Sequence, residues 1–224
     1  MPHTGRRFTA AIFDMDGLLL DSERPIRDAW LRQSAAAGTP LGEADYLLTV
    51  GINRQDSLRV LADKLGSHAQ AEAMYDEVDR EVEAQFQGQG FALRPGALSL
   101  LQSLQARGVP CAVASSTRHT EVLRRLGLAG LLSFFGPIHG GDQVTRGKPH
   151  PDLFELAARS LGCPPEQTLV FEDSSFGALG ALTAGAGVVL VPDLKSPDLE
   201  IAPRCLVLHS LEAALPLSEA WFMA

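Results

Sequence analysis

From residue 91 onward, short apolar runs alternate with longer stretches of helical spacing. A helix expected at 96–107 leads to an apolar run at 111–114, and a helix at 119–126 follows. Another helix at 151–161 leads to a run at 168–171, and one at 175–184 leads to 188–191. A last run at 206–208 precedes a short terminal helix. Short apolar runs bounded by turn residues read as buried strands. Strands that alternate with helices require a parallel sheet covered on both faces, which is the α/β class. Residues 8–13 (FTAAIF) supply one further buried strand near the N-terminus. Between these parts, 20–90 is rich in Ala, Leu, Glu, Gln, Asp and Arg and holds no convincing strand. Its apolar residues, such as Met74, Val78 and Val82, follow helical spacing. The expected organisation is an α/β core made of 1–19 and 91–224, with a helical insert at 20–90.

Composition narrows the partners. The formal charge is −8 over 224 residues and no stretch is strongly basic, which argues against nucleic acid. The three cysteines, Cys111, Cys163 and Cys205, are widely spaced and form neither a disulfide framework nor a metal-ligand pattern. No apolar run approaches the roughly 18 residues that would span a membrane. The run at 8–13 is too short for a signal segment. A cytoplasmic monomer acting on a small molecule is expected. The Gly/Ala-rich stretch 177–187 falls within and after a helix, so it reads as close helix–sheet packing rather than a dinucleotide loop.

Four polar segments stand out, and three of them directly follow an expected strand, the end at which open α/β sheets bind ligands. The first is Asp14-Met15-Asp16-Gly17. Residues i and i+2 of an extended chain point the same way, so Asp14 and Asp16 face one site. Two carboxylates held together divide their roles between nucleophile or ligand and proton carrier. The second is Ser115-Ser116-Thr117, whose hydroxyls and amides suit a phosphate. The third is Lys148-Pro149, a point charge suited to an anionic intermediate. The fourth is Glu172-Asp173-Ser174. Taken singly, each also reads as a turn, a helix cap or a surface charge.

Convergence of Asp14, Asp16, Glu172 and Asp173 would gather up to four negative charges before a phosphate arrives. Each unit pair at about 4 Å repels by roughly 4 kcal/mol at an effective dielectric of about 20. One lysine cannot offset that. A divalent cation with oxygen ligands is therefore expected, and magnesium fits better than zinc because no His or Cys cluster is present.

The four segments, in this order, resemble the signature of the haloacid dehalogenase superfamily. The opening FDMDGLLLDSE at 13–23 is similar to that of its β-phosphoglucomutase and sugar-phosphate phosphatase subgroup. The resemblance implies a Rossmann-like core with a small helical cap at 20–90 inserted after the first motif. It implies that Asp14 attacks phosphorus and becomes an aspartyl-phosphate. Asp16 would protonate the leaving oxygen and then activate water. Ser115, with Ser116 beside it, would bind the transferring phosphoryl group, and Lys148 would stabilise its charge. Magnesium would be held by Asp14, the backbone carbonyl of Asp16 and Asp173, with Glu172 a ligand or an outer partner.

The segment 51–58 (GINRQDSL) resembles the cap stretch by which the mutase contacts a second phosphate, making Arg54 a candidate anion clamp or else a helix-surface arginine. The mutase has a histidine where this chain has Ile26. A magnesium-dependent phosphatase of a small phosphorylated metabolite, a sugar phosphate foremost, is therefore expected. A hexose phosphate mutase is the alternative. A catalytically silent binding protein on the same fold is the third reading.

Overall fold

The structure, a computed structural model, describes residues 7–39 and 41–222. The outermost parts of the expected core, 1–6 and 223–224, lie outside the described residues, as does position 40 of the insert. Strand β1 (Ala10–Phe13) is followed by four helices, α1 (Glu23–Ala36), α2 (Glu43–Tyr46), α3 (Arg54–Leu65) and α4 (His68–Phe86). Then come α5 (Ala97–Ala106), β2 (Cys111–Ser115), α6 (His119–Leu128), β3 (Ile138–Gly140) and α7 (Asp152–Ser160). The chain continues through β4 (Thr168–Glu172), α8 (Ser175–Thr183), β5 (Gly187–Leu190), β6 (Leu206–Val207) and α9 (Leu211–Trp221).

The six strands form one sheet in the order β3-β2-β1-β4-β5-β6, and every pair is parallel. From β1 the chain winds outward to β2 and β3 on one side and to β4, β5 and β6 on the other. The topological switch therefore falls between β1 and β4, where such sheets open a crevice at their carboxyl ends. Register sets the level of the polar segments. Phe13 pairs with Val113 and with Phe171, so Asp14, Ser115 and Glu172 leave the sheet at nearly one height.

Alternation along β1 builds the two covering layers. Phe13 faces one side, where it stacks on Phe171 with ring centroids 4.6 Å apart and packs with the buried leucines of α5 and with Trp221 of α9. Ile12 faces the other, against Leu153 and Phe154 of α7 and Ala178 and Ala181 of α8. The small residues of α8 have a packing reason, as expected. A Cβ at Gly177 would collide with the Glu172 carboxylate, and one at Gly180 would crowd the His150 carbonyl and the Phe154 ring.

The helical character expected of 20–90 is observed, and α1, α3 and α4 bury Trp30, Leu58, Leu61, Met74, Val78 and Val82 among themselves. Asn53 and Ser67 cap α3 and α4 by accepting from the Asp56 and Gln70 amides. Both chain passages between insert and sheet are tied to the loop after β5. Arg24 donates to Asp193 at 2.6 Å, and Arg94 lies 3.0 Å from the same carboxylate.

Strand β3 is one element absent from the sequence-based expectation. It is only three residues long, enters from Pro137 and ends in glycines, so it carries no alternation to detect. It pairs with β2 through Ser115 and Gly140 and extends the sheet beyond the second polar segment.

Candidate active site

The four polar segments converge. Lys148 Nζ donates to Asp14 Oδ1 at 2.5 Å and to Glu172 Oε1 at 2.6 Å, joining three segments that are far apart in the chain. All three side chains are buried, with Lys148 at 1 % exposure. Burial alone would lower the Lys148 ammonium, but the Asp14 and Glu172 charges reverse this and hold it above its ordinary value.

Glu172 has a structural assignment. Its Oε1 accepts from Lys148, and its Oε2 accepts from the Asp173 and Ser174 amides and the Ser174 hydroxyl. It thus fixes the lysine and braces the turn into α8 rather than facing open space. Ser174 also caps α8 by accepting from the Gly177 amide. The helix-cap reading of this segment therefore holds for Ser174, while Asp173 is left for the site.

A cavity of about 830 Å³ opens over these residues, lined by Asp14, Asp16, Ser115, Ser116, Asp173 and Arg54 among others. Asp173 is 6 % exposed, and among the described residues no group donates a hydrogen bond to its carboxylate. Gly17, at φ +78°, makes room for it, since a Cβ there would overlap Asp173 Oδ2. Burial raises Asp14 and Asp173 well above the ordinary carboxylate range, Glu172 adds to both shifts, and Lys148 opposes them. Two buried carboxylates so destabilised in their charged form are suited to a hard cation. Among the described residues, no three or more His, Cys, Asp or Glu side chains are grouped to hold a metal alone. The donors therefore fit a site with two carboxylates completed by backbone and ligand oxygens, not a four-carboxylate cage.

Asp16 stands apart from that pair. Its Oδ1 accepts from Ser22 Oγ and from the Arg125 guanidinium, each at 2.7 Å, and its Oδ2 accepts from Thr117 Oγ1 at 2.7 Å. Arg125 was not recognised from the sequence. It sits next to Arg124 on a helix in an i,i+4 pair with Glu121, the pattern of a solvated helix face. Its contact with Asp16 spans 109 positions, which spacing does not reveal.

Ser115 ends β2 and accepts from the Thr117 amide at 3.1 Å, while Ser116 donates to the Gly51 carbonyl of the insert at 3.2 Å. Neither acts as a side-chain cap for α6. Gly51 also lies against Ser174, so the 49–53 loop of the insert closes on the sheet side of the cavity. His150 neither lines the cavity nor caps α7.

Glu23 is a second residue that the sequence did not single out. It lines the cavity and accepts from Tyr46 Oη at 2.6 Å. Burial, aided by Asp16 and Asp193 and opposed by the Tyr46 hydrogen bond, pushes it up to about 7. An acid raised in the fold from 4.5 to about 7 favours folding below the lower value, and that contribution is lost as pH rises to about 7. In chelator, the stability of Glu23→Gln minus that of the unaltered chain is thus expected to increase from pH 4.5 to 7 and then level off. Urea unfolding across this range checks it, and a difference independent of pH would show that Glu23 titrates normally.

Residues 8–185 match the family of haloacid dehalogenase-like hydrolases. A phosphorylated carbohydrates phosphatase of Thermotoga maritima is 32% identical over 79% of this chain and 81% of its own length. Hexitol phosphatase A of Escherichia coli is 30% identical over 90% of each. The crystal structure of CbbY from Rhodobacter sphaeroides in complex with phosphate superimposes with a TM-score of 0.76 at 27% identity, covering 92% of this chain and 96% of that one.

Proposed function

Because the chain belongs to the haloacid dehalogenase-like hydrolases and is a phosphatase of that family, we propose that it hydrolyses a small phosphorylated carbohydrate with magnesium and an aspartyl-phosphate intermediate. The observation that carries this reading is Asp14. Its carboxylate lines the cavity with one oxygen fixed by Lys148, which leaves the other for phosphorus. Asp14 Oδ2 attacks phosphorus and the bond from phosphorus to the ester oxygen breaks. Asp16 gives its proton to that oxygen, then takes one from the water that attacks phosphorus and frees Asp14. In the structure Ser22, Thr117 and Arg125 all donate to Asp16, so the acid step requires that Asp16 take up a proton and that one of these bonds give way. Ser115 holds the phosphoryl oxygens, and Lys148 offsets charge on the nucleophile and the group in transfer.

Asp14, Asp173 and the Asp16 carbonyl would hold magnesium, which would supply shielding between the nucleophile and the anionic phosphate. Glu172 acts behind them through Lys148. Residues 20–90 form the cap, and 1–19 with 91–224 form the core. The contact of Ser116 with Gly51 supports closure of one on the other.

Ile26 favours hydrolysis over phosphate migration. It lines the cavity as an apolar side chain and can exchange no proton with Asp16. The test is phosphate release from a panel of sugar phosphates, polyol phosphates, nucleotides and an aryl phosphate with magnesium. Turnover that stops in excess chelator is expected. Undiminished turnover in chelator would remove the metal, and no turnover on any ester would favour a silent binding protein.

A further inference from the structure

Helix α4 presents one stripe to the cavity: His68, Glu72, Tyr75, Asp79, Val82 and Glu83. Spacings of three and four keep these residues on a single helix face. Three of them are acids. The cation that α3 brings to the same wall, Arg54, is already engaged. It lies 2.5 Å from Asp76 and 2.6 Å from Asp79, with its guanidinium 4.4 Å from the Tyr75 ring centroid. The strength of these pairs is secondary, because the half-exposed acids make each pair weak. Their sum decides. One arginine between two aspartates leaves a net negative triad, and Glu72 and Glu83 extend the negative wall.

We propose that Asp76 and Asp79 mask Arg54 and so select substrate by charge. The leaving group that reaches this wall is neutral and hydroxylated, and a second phosphate is rejected. This rests on the phosphatase reading and names the substrate class for that site. The opposite wall does not reverse it. Arg124 is paired with Glu121, and Arg125 with Asp16 and Glu121. Arg118 lines the cavity and follows Ser116 and Thr117 in the chain, and its single charge does not offset those of Glu72, Asp79 and Glu83.

The experiment compares kcat/KM for a hexose 6-phosphate and the matching hexose 1,6-bisphosphate at fixed free magnesium. The monophosphate is expected to win by roughly tenfold or more, as mutual repulsion of like charges in a partly desolvated cavity requires. In Asp76→Asn/Asp79→Asn, the bisphosphate-to-monophosphate ratio is expected to rise by about tenfold, since two like charges are removed and Arg54 is released. Adding Arg54→Gln to that double variant should cancel part of the rise, since the triad then sums to zero, between the negative triad of the unaltered chain and the freed arginine of the double variant. Equal use of both esters by the unaltered chain, or an unchanged ratio in the double variant, overturns the proposal. Should the double variant not fold, the single Asp76→Asn, outside the cavity lining, is expected to shift the ratio in the same direction, and an unchanged ratio there counts against it equally. A chain that hydrolyses neither ester, nor any other on the panel, would instead fail as a phosphatase.

Discussion

Asp14→Asn is expected to lower kcat by at least about a thousandfold while the protein stays folded, since the variant has the same shape but lacks the nucleophile. The fold should tolerate the change for a specific reason. Lys148 keeps Glu172 as an ionic partner, and a neutral amide is easier to bury than a carboxylate already destabilised by its surroundings. Unfolding in urea, read beside kcat for a sugar phosphate, separates the two effects. A folded variant with turnover within tenfold of the unaltered chain would exclude Asp14 as the attacking group.

Replacing Lys148 is expected to damage both stability and activity. Lys148→Met leaves Asp14 and Glu172 buried without their shared cation, and breaking such a pair costs about 3–5 kcal/mol. Asp14, already raised by burial, then loses the charge that opposes the shift and is expected to bind a proton still more readily in the fold than in the unfolded chain. The variant's stability should therefore fall as pH rises and recover in acid. Adding Glu172→Gln should restore part of the stability, because one of the two stranded charges is gone. It should not restore turnover, because Asp14 still lacks its partner. A Lys148→Met variant as stable as the unaltered chain at neutral pH would mean that the buried triad is not ionised as described.

The alternating pattern of the second half made most of the sheet legible, because buried parallel strands are short apolar runs regardless of what surrounds them. The site was legible for a related reason. Strand order and register bring the carboxyl ends of β1, β2 and β4 to one place, so residues after those strands meet. Strand β3 was not legible, since three residues between a proline and glycines carry no period. Arg54 was half legible. Its place at the cavity could be read, but its pairing with Asp76 and Asp79 depends on how α3 crosses α4. Arg125 and Glu23 were hidden because their roles depend on contacts with Asp16 and Tyr46 rather than on any local signal.

The role of Glu172 also needed coordinates. An acidic pair at a strand end invites both members to be read as metal ligands. The backbone instead turns Glu172 inward, onto Lys148 and two amides, and leaves Asp173 at the cavity. Gly177 and Gly17 make this division possible by withholding a Cβ where each carboxylate lies.

The most direct test is acid quenching during turnover of a sugar phosphate with magnesium, followed by mass spectrometry of the peptides. One phosphoryl group on the peptide containing Asp14, lost in Asp14→Asn and in chelator, is the expected result. Sustained hydrolysis with no phosphorylated peptide, or with the phosphoryl group on another residue, would contradict covalent catalysis by Asp14.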